Sequence, residues 1–289
     1  MSSPDLNQVC YRHTDRPTAL SCTRCGRSAC HECLRPASVG QHCVDCVSQD
    51  AASARVTSPT PAVVSANAKP LVTYTLIAIN VIVFAAVLLQ AGGTTLPYSS
   101  IYREGALISG AGLDDQYWRL LTSGFLHQSV PHLAINMFSL YIIGADLERA
   151  LGRGRYLAIY VVSLLGGSAA VMAFQSGITA TAGASGAIYG LMGALLILLL
   201  RVKAPVQTVL GVIAINIVIS VTIPGISLYG HLGGLVFGAA AAGAVVWLPA
   251  RLLPPERRTQ AAVSRIGWYG LAALAVLAVV IGTSLGAVA

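Results

Sequence analysis

The chain has 289 residues, 55% of them hydrophobic and only 10% charged, with a mean hydropathy of +0.70. An average soluble chain carries about 25% charged residues, so a soluble globule is excluded and a polytopic membrane protein is expected. The net charge of +7 sets orientation in such a chain, and no nucleic-acid partner is expected from it.

Residues 1–46 are polar and hold all seven cysteines, from Cys10 to Cys46. The opening MSSPDLNQVC has no apolar run, so no signal peptide is expected there. The cysteines pair as Cys10-x-x-His13, Cys22-x-x-Cys25, Cys30-x-x-Cys33 and Cys43-x-x-Cys46. An odd number of cysteines in such pairs is a poor disulfide framework and a good metal framework. Eight ligands of thiolate and imidazole supply two tetrahedral zinc sites. No apolar core exists in this stretch, so two structural zinc ions would provide its folding energy. His31 and His42 stand beside ligands and are substitutes for one. From spacing alone the pairs can be used sequentially or interleaved. The ligand order over residues 10–46 resembles the B-box family of cross-brace zinc fingers. That resemblance implies Cys10, His13, Cys30 and Cys33 on one ion and Cys22, Cys25, Cys43 and Cys46 on the other. It also implies a module that binds a protein partner rather than one that catalyses.

Residues 47–69 (VSQDAASARVTSPTPAVVSANAK) show no periodicity and are expected to form a flexible linker. A chain of that length has an end-to-end distance of roughly 26 Å. From Pro70 onward, uncharged runs long enough for spans of about 20 residues follow one another. They predict seven helices, at about 71–90, 131–147, 156–174, 184–201, 206–223, 230–249 and 267–286. The fold class is thus an all-α polytopic membrane protein, with six helices over 70–250, a connector and seventh helix over 251–289, and a small zinc-binding module in front.

The loops joining helices 2–3, 4–5 and 6–7 carry nine basic residues, from Arg149 to Arg265, whereas the opposite loops carry Arg103 and Arg119. Nine against two places the N-terminus in the cytosol and the C-terminus outside. The cytosol also keeps the thiols reduced. A multi-pass plasma-membrane protein is expected, in contact with lipid throughout.

Polar side chains within apolar spans are expensive and mark function by default. They are few here: His127, His132 and Asn136 in HQSVPHLAIN, Ser185 in TAGASGAIYG, and His231 in LYGHLGG. His132, Ser185 and His231 each fall near the outer start of a predicted helix, and Asn136 lies one turn from His132 on the same face. A serine needs an adjacent base to become a nucleophile, and histidine is the usual one. Asn136, His132 and the Ser185 N–H are candidate donors to an oxyanion. Asp146 and Glu148 lie at the cytosolic end, so a hydrolase here would use a Ser–His dyad. Glycines on both helices, Gly186 and Gly190 against Gly230, Gly233, Gly234 and Gly238, permit the close approach.

GASGAIYG, HLAIN and GHLGGLVFG closely resemble the rhomboid intramembrane serine proteases, as do Trp118-Arg119 before helix 2 and Leu147-Glu148 with Gly152 after it. The resemblance covers about residues 71–250. It implies Ser185 as nucleophile, His231 as base, His132 and Asn136 as oxyanion partners and Tyr189 packed on His231. It further implies Trp118-Arg119 in a loop lying partly in the outer leaflet, and Glu148 with Arg149 stabilising the cytosolic end. Helix 5 and the loop 224–230 would be gate and cap. The expected function is cleavage of transmembrane protein substrates near the extracytoplasmic face, with no cofactor in catalysis and a cytosolic partner for the zinc module. The competing readings are a non-catalytic scaffold or chaperone that captures membrane proteins, and a transporter. The absence of an acidic residue at mid-membrane depth weakens the last.

Overall fold

The computed structural model describes residues 8–37, 39–49, 69–93, 96–110 and 113–286. The chain divides into two compact units, Met1–Pro59 and Thr60–Ala289. Most of the expected linker, 50–68, lies outside the described residues. Residues 47–49 are helical instead, the end of a helix α1 over 44–49. The cause is local: Cys43 and Cys46 are three residues apart, and a helical turn brings such positions to one side.

The first unit folds around its cysteines. Cys10, Cys22, Cys30, Cys33, Cys43 and Cys46 are buried with Ala29 and Leu34, and Cys25 is exposed. Strands β1 (Leu34–Pro36) and β2 (Gln41–Cys43) pair antiparallel, with Leu34 opposite Cys43. Its surface carries an Arg16–Glu32 ion pair at 2.7 Å.

The second unit is helical. Among the described residues, five helices are long and apolar enough to cross a bilayer. They are α2 (Leu71–Ala91), the composite Val130–Leu151, α7 (Arg153–Phe174), α10 (Leu228–Val246) and α12 (Gln260–Gly286). The composite helix consists of α5 (Val130–Ser139), a π-helical turn at Leu140–Gly144 and α6 (Ala145–Leu151). Two further apolar helices are shorter, α8 (Ser185–Arg201) with 17 residues and α9 (Gln207–Thr222) with 16. At 1.5 Å per residue they reach about 25 Å, less than the roughly 30 Å hydrocarbon layer. All seven predicted helices are therefore present, with shifted ends. The second runs on to Leu151, where Gly152 at φ 79° turns the chain into α7. The sixth starts early because Ser227 caps it, its Oγ accepting from the Gly230 N–H at 3.1 Å. The seventh begins at Gln260 because the Thr259 hydroxyl accepts from the Ala262 N–H at 3.2 Å, an N-cap ahead of the expected start. A short α11 (Leu248–Leu252) occupies part of the connector.

Elements with no helical period went unforeseen. Between α2 and α5 lie α3 (Ser100–Gly105), β3 (Leu107–Ser109) and α4 (Arg119–Thr122), and β3 pairs antiparallel with β4 (Thr179–Thr181). Arg119 ties this segment together by donating from Nη1 to the carbonyls of Arg103, at 2.7 Å, and Ala106. Trp118 Nε1 donates to the Glu104 carbonyl at 3.1 Å while the ring stays half exposed.

Glu148 and Arg149, expected to stabilise the cytosolic end, take different partners. Its buried carboxylate accepts from the Val72 N–H at 3.0 Å and from the Thr73 N–H and hydroxyl, each at 2.8 Å. It thus caps the start of α2, where unbonded N–H groups and the helix dipole favour a negative charge. Arg149 reaches Asp146 instead, at 2.8 Å, because the i,i+3 partner lies on its own face of the helix.

Candidate active site

The centre of the helical unit is the packing of α8 against α10 and α7. A methyl group at Gly234 would overlap the carbonyl oxygen of Gly186, and one at Gly238 would overlap that of Gly190. The backbones therefore touch directly, an approach only glycine allows. This contact brings Ser185, the first residue of α8, beside His231 in the first turn of α10. The Ser185 Oγ lies 2.8 Å from His231 Nε2. Tyr189, one turn along α8, stacks on the imidazole with ring centroids 3.9 Å apart and planes 13° apart. His231 Nδ1 lies 2.7 Å from the Ser220 hydroxyl of α9.

The opposite wall comes from α5. Gln128 donates its N–H to His132 Nδ1 at 3.5 Å, which leaves Nε2 as the protonated nitrogen. A Cβ placed on Gly183 would lie 3.0 Å from His132 Nε2 and 3.6 Å from Ser185 Oγ. With φ at 147°, Gly183 also adopts a backbone conformation that side chains disfavour. It keeps open the space between the histidine edge and the serine. Asn136 is buried, donates from Nδ2 to the His132 carbonyl at 2.9 Å, and lines the same cavity. That cavity has a volume of about 400 Å³ and is lined by Ser185, His231, His132, Asn136 and Ser220 among others. No carboxylate lies among its described lining residues. His127 is buried outside it, edge-on to His132 with centroids 5.1 Å apart, and neither ring nitrogen has a partner among the described residues.

The arrangement has the parts of a covalent hydrolase. A hydroxyl faces an imidazole nitrogen that can take its proton. The first-turn N–H groups of α8 have no intrahelical acceptor, and the helix dipole adds positive potential there. The His132 Nε2–H and the Asn136 amide supply further donors on the facing wall, where an oxyanion would form.

In the first unit the side chains gather in two groups, Cys10, His13, Cys30 and Cys33, and Cys22, Cys25, Cys43 and Cys46. Within each group the ligand atoms lie within 4.8 Å of one another. His13 Nδ1 is 3.3 Å from Cys30 Sγ and 3.4 Å from Cys33 Sγ, and the sulfurs of Cys25 and Cys43 are 3.7 Å apart. An ion about 2.3 Å from each tetrahedral sulfur spaces them about 3.8 Å apart, so both groups fit a zinc-sized dication. The crowding separates the thiols' titration. Burial and the neighbouring Cys10 push Cys33 up to about 11. In Cys10 burial is outweighed by the backbone N–H groups of Cys30, Arg12 and His13, and the thiol falls to about 6. A dication would hold all of them as thiolates.

The family model of the Rhomboid domain matches residues 114–248. The chain contains a Rhomboid domain over these residues. It is 36% identical over 191 residues to Rhomboid protease GluP of Bacillus subtilis (strain 168), a stretch that is 64% of this chain and 37% of that protein. It is 28% identical over 209 residues to Rhomboid protease AarA of Providencia stuartii, covering 62% of this chain and 74% of that one. RHOMBOID-like protein 6, mitochondrial, of Arabidopsis thaliana is 39% identical over 132 residues, 43% of this chain and 42% of that protein. The chain thus spans less than half the length of GluP and of RHOMBOID-like protein 6.

Sequence reasoning missed Ser220. A signal was available: Asn216 and Ser220 are four residues apart on one face of α9, the two polar residues in its otherwise apolar stretch 209–221.

Proposed function

We propose that the chain is an intramembrane serine endopeptidase that cleaves transmembrane protein substrates, with Ser185 as nucleophile and His231 as general base. The observation that carries the reading is the 2.8 Å contact between Ser185 Oγ and His231 Nε2 at the wall of the cavity. His231 Nε2 takes the Ser185 proton as Oγ bonds to the scissile carbonyl carbon. The carbonyl oxygen becomes an oxyanion held by the Ser185 N–H, His132 Nε2–H and Asn136 amide. Collapse breaks the C–N bond, and the amine leaves with the proton from His231. Water then attacks the acyl-serine, giving one proton to His231; the C–Oγ ester bond breaks, Ser185 Oγ takes that proton back from His231, and the carboxylic acid product leaves.

The basic loops argue for a cytosolic N-terminus and an active site near the outer face, in the plasma membrane. A substrate helix must unwind to present a peptide bond to Ser185, so helix-weakening residues near the cut favour cleavage. The module of residues 10–46 is a two-zinc B-box-like finger that docks a cytosolic protein. Four ligands from each group would saturate its ion and leave no open position for substrate. The names of GluP and AarA support the protease reading.

A serine-directed fluorophosphonate tests it. The purified protein is expected to take one label per chain, and Ser185→Ala to take none. Equal labelling of both would remove Ser185 as nucleophile, and labelling of neither would leave a non-catalytic membrane scaffold.

A further inference from the structure

Ser220 is one of two buried residues on α9, the other being Ile213. Its hydroxyl meets three polar partners: the Asn216 carbonyl at 2.7 Å, His231 Nδ1 at 2.7 Å and the Tyr189 hydroxyl at 3.1 Å. A hydroxyl has one proton and two lone pairs. A carbonyl oxygen only accepts, so the Asn216 contact takes the Ser220 proton. The other two contacts must then be donated to Ser220, one by the Tyr189 O–H and one by an N–H at His231 Nδ1. An imidazole protonated on Nδ1 presents a lone pair at Nε2. That is the nitrogen 2.8 Å from Ser185 Oγ. The reverse assignment, Ser220 donating to Nδ1, would put a hydrogen on Nε2 and leave it unable to accept the serine proton.

We propose that Ser220 is a positioning residue that holds His231 in the tautomer able to deprotonate Ser185. The inference rests on the protease reading of Ser185 and His231. In serine hydrolases with a triad a carboxylate does this work. Here a neutral hydroxyl does it, its own proton committed to the backbone of the preceding turn. The nucleophile is on α8, the base on α10 and the acceptor on α9. The tautomer is therefore held only while α9 is seated against α10, which ties the setting of the base to the position of that helix.

The test uses the full-length protein in proteoliposomes and follows two rates: labelling by a fluorophosphonate and cleavage of a single-span substrate. Ser220→Ala is expected to slow labelling and kcat about tenfold, the scale of one lost hydrogen bond, with KM and the unfolding midpoint unchanged. Ser220→Thr keeps the hydroxyl and its bond to the preceding turn, and is expected to restore both rates. If the alanine variant fails to fold, Ser220→Thr against Ser220→Val makes the same comparison at matched shape. Wild-type rates in folded Ser220→Ala or Ser220→Val, beside a wild type that labels, would overturn the role of Ser220 alone. A wild type that neither labels nor cleaves would overturn the protease reading and this inference with it.

Discussion

Tyr189 lies flat against His231, with ring centroids 3.9 Å apart and planes 13° apart. The stack closes one face of the imidazole, and the Ser220 hydroxyl fixes its edge. Tyr189→Ala removes the stack and is expected to lower kcat about tenfold to a hundredfold, whereas Tyr189→Phe keeps it. Cleavage rates of the two variants, measured at matched folded fraction, check the difference.

The touching backbones of α8 and α10 make a second prediction. A side chain at Gly234 or Gly238 has no room against the Gly186 or Gly190 carbonyl. Overpacking of this kind costs about 1–3 kcal/mol and shifts the backbone. Gly234→Val is expected to abolish fluorophosphonate labelling by parting Ser185 from His231, while Gly211→Val on α9, where a Cβ meets nothing within 4 Å, is expected to leave it intact.

Glu148 is 3% exposed and takes three hydrogen bonds from the start of α2. Removing it leaves those donors unpaired in an apolar setting, a loss of about 2–4 kcal/mol. Glu148→Ala should therefore lower the unfolding midpoint in detergent, and the activity per folded molecule should hold. Glu148→Gln retains an acceptor and should fall between.

Much of this was legible in the chain because its physics is one-dimensional. A long uncharged run has one low-energy solution in a bilayer, so the seven helices could be located before any fold was known. Ser185, His231, His132 and Asn136 stood out because polar groups are rare in such runs. What escaped notice depends on contacts between distant segments. The β3–β4 pair joins residues about 70 apart and has three residues per strand, too few for a period to show. Glu148 was seen as a stabiliser, but it binds the Val72 and Thr73 N–H groups and the Thr73 hydroxyl on a helix about 75 residues away, which no side-chain pattern announces. Ser220 shares a polar face with Asn216, but a hydroxyl bonded to the preceding turn is ordinary in a membrane helix, and only the fold aims it at an imidazole.

Removing metal tests the division of labour between the two units. The full chain is expected to bind two zinc ions and to lose them to a strong chelator, with unfolding of the cysteine module alone. A chain beginning at Ser65 should bind none and still cleave a simple single-span substrate. Loss of all cleavage in that chain, once shown to be folded and inserted, would make the module part of the enzyme's working structure.

Orientation is checked by cysteines placed at Gly93 and Lys203. An impermeant thiol reagent applied to intact cells is expected to label the first and spare the second. The reverse pattern would put Ser185 near the cytosolic side.

The central claim is that Ser185, activated by His231, cuts a peptide bond within the membrane. Its most direct measurement is mass spectrometry of the products of a single-span substrate co-reconstituted with the protein in liposomes. The wild type is expected to release two fragments that meet at one bond in the outer part of the substrate's span, and Ser185→Ala and His231→Ala are expected to release none. The same fragments from folded Ser185→Ala at the wild-type rate would contradict the account.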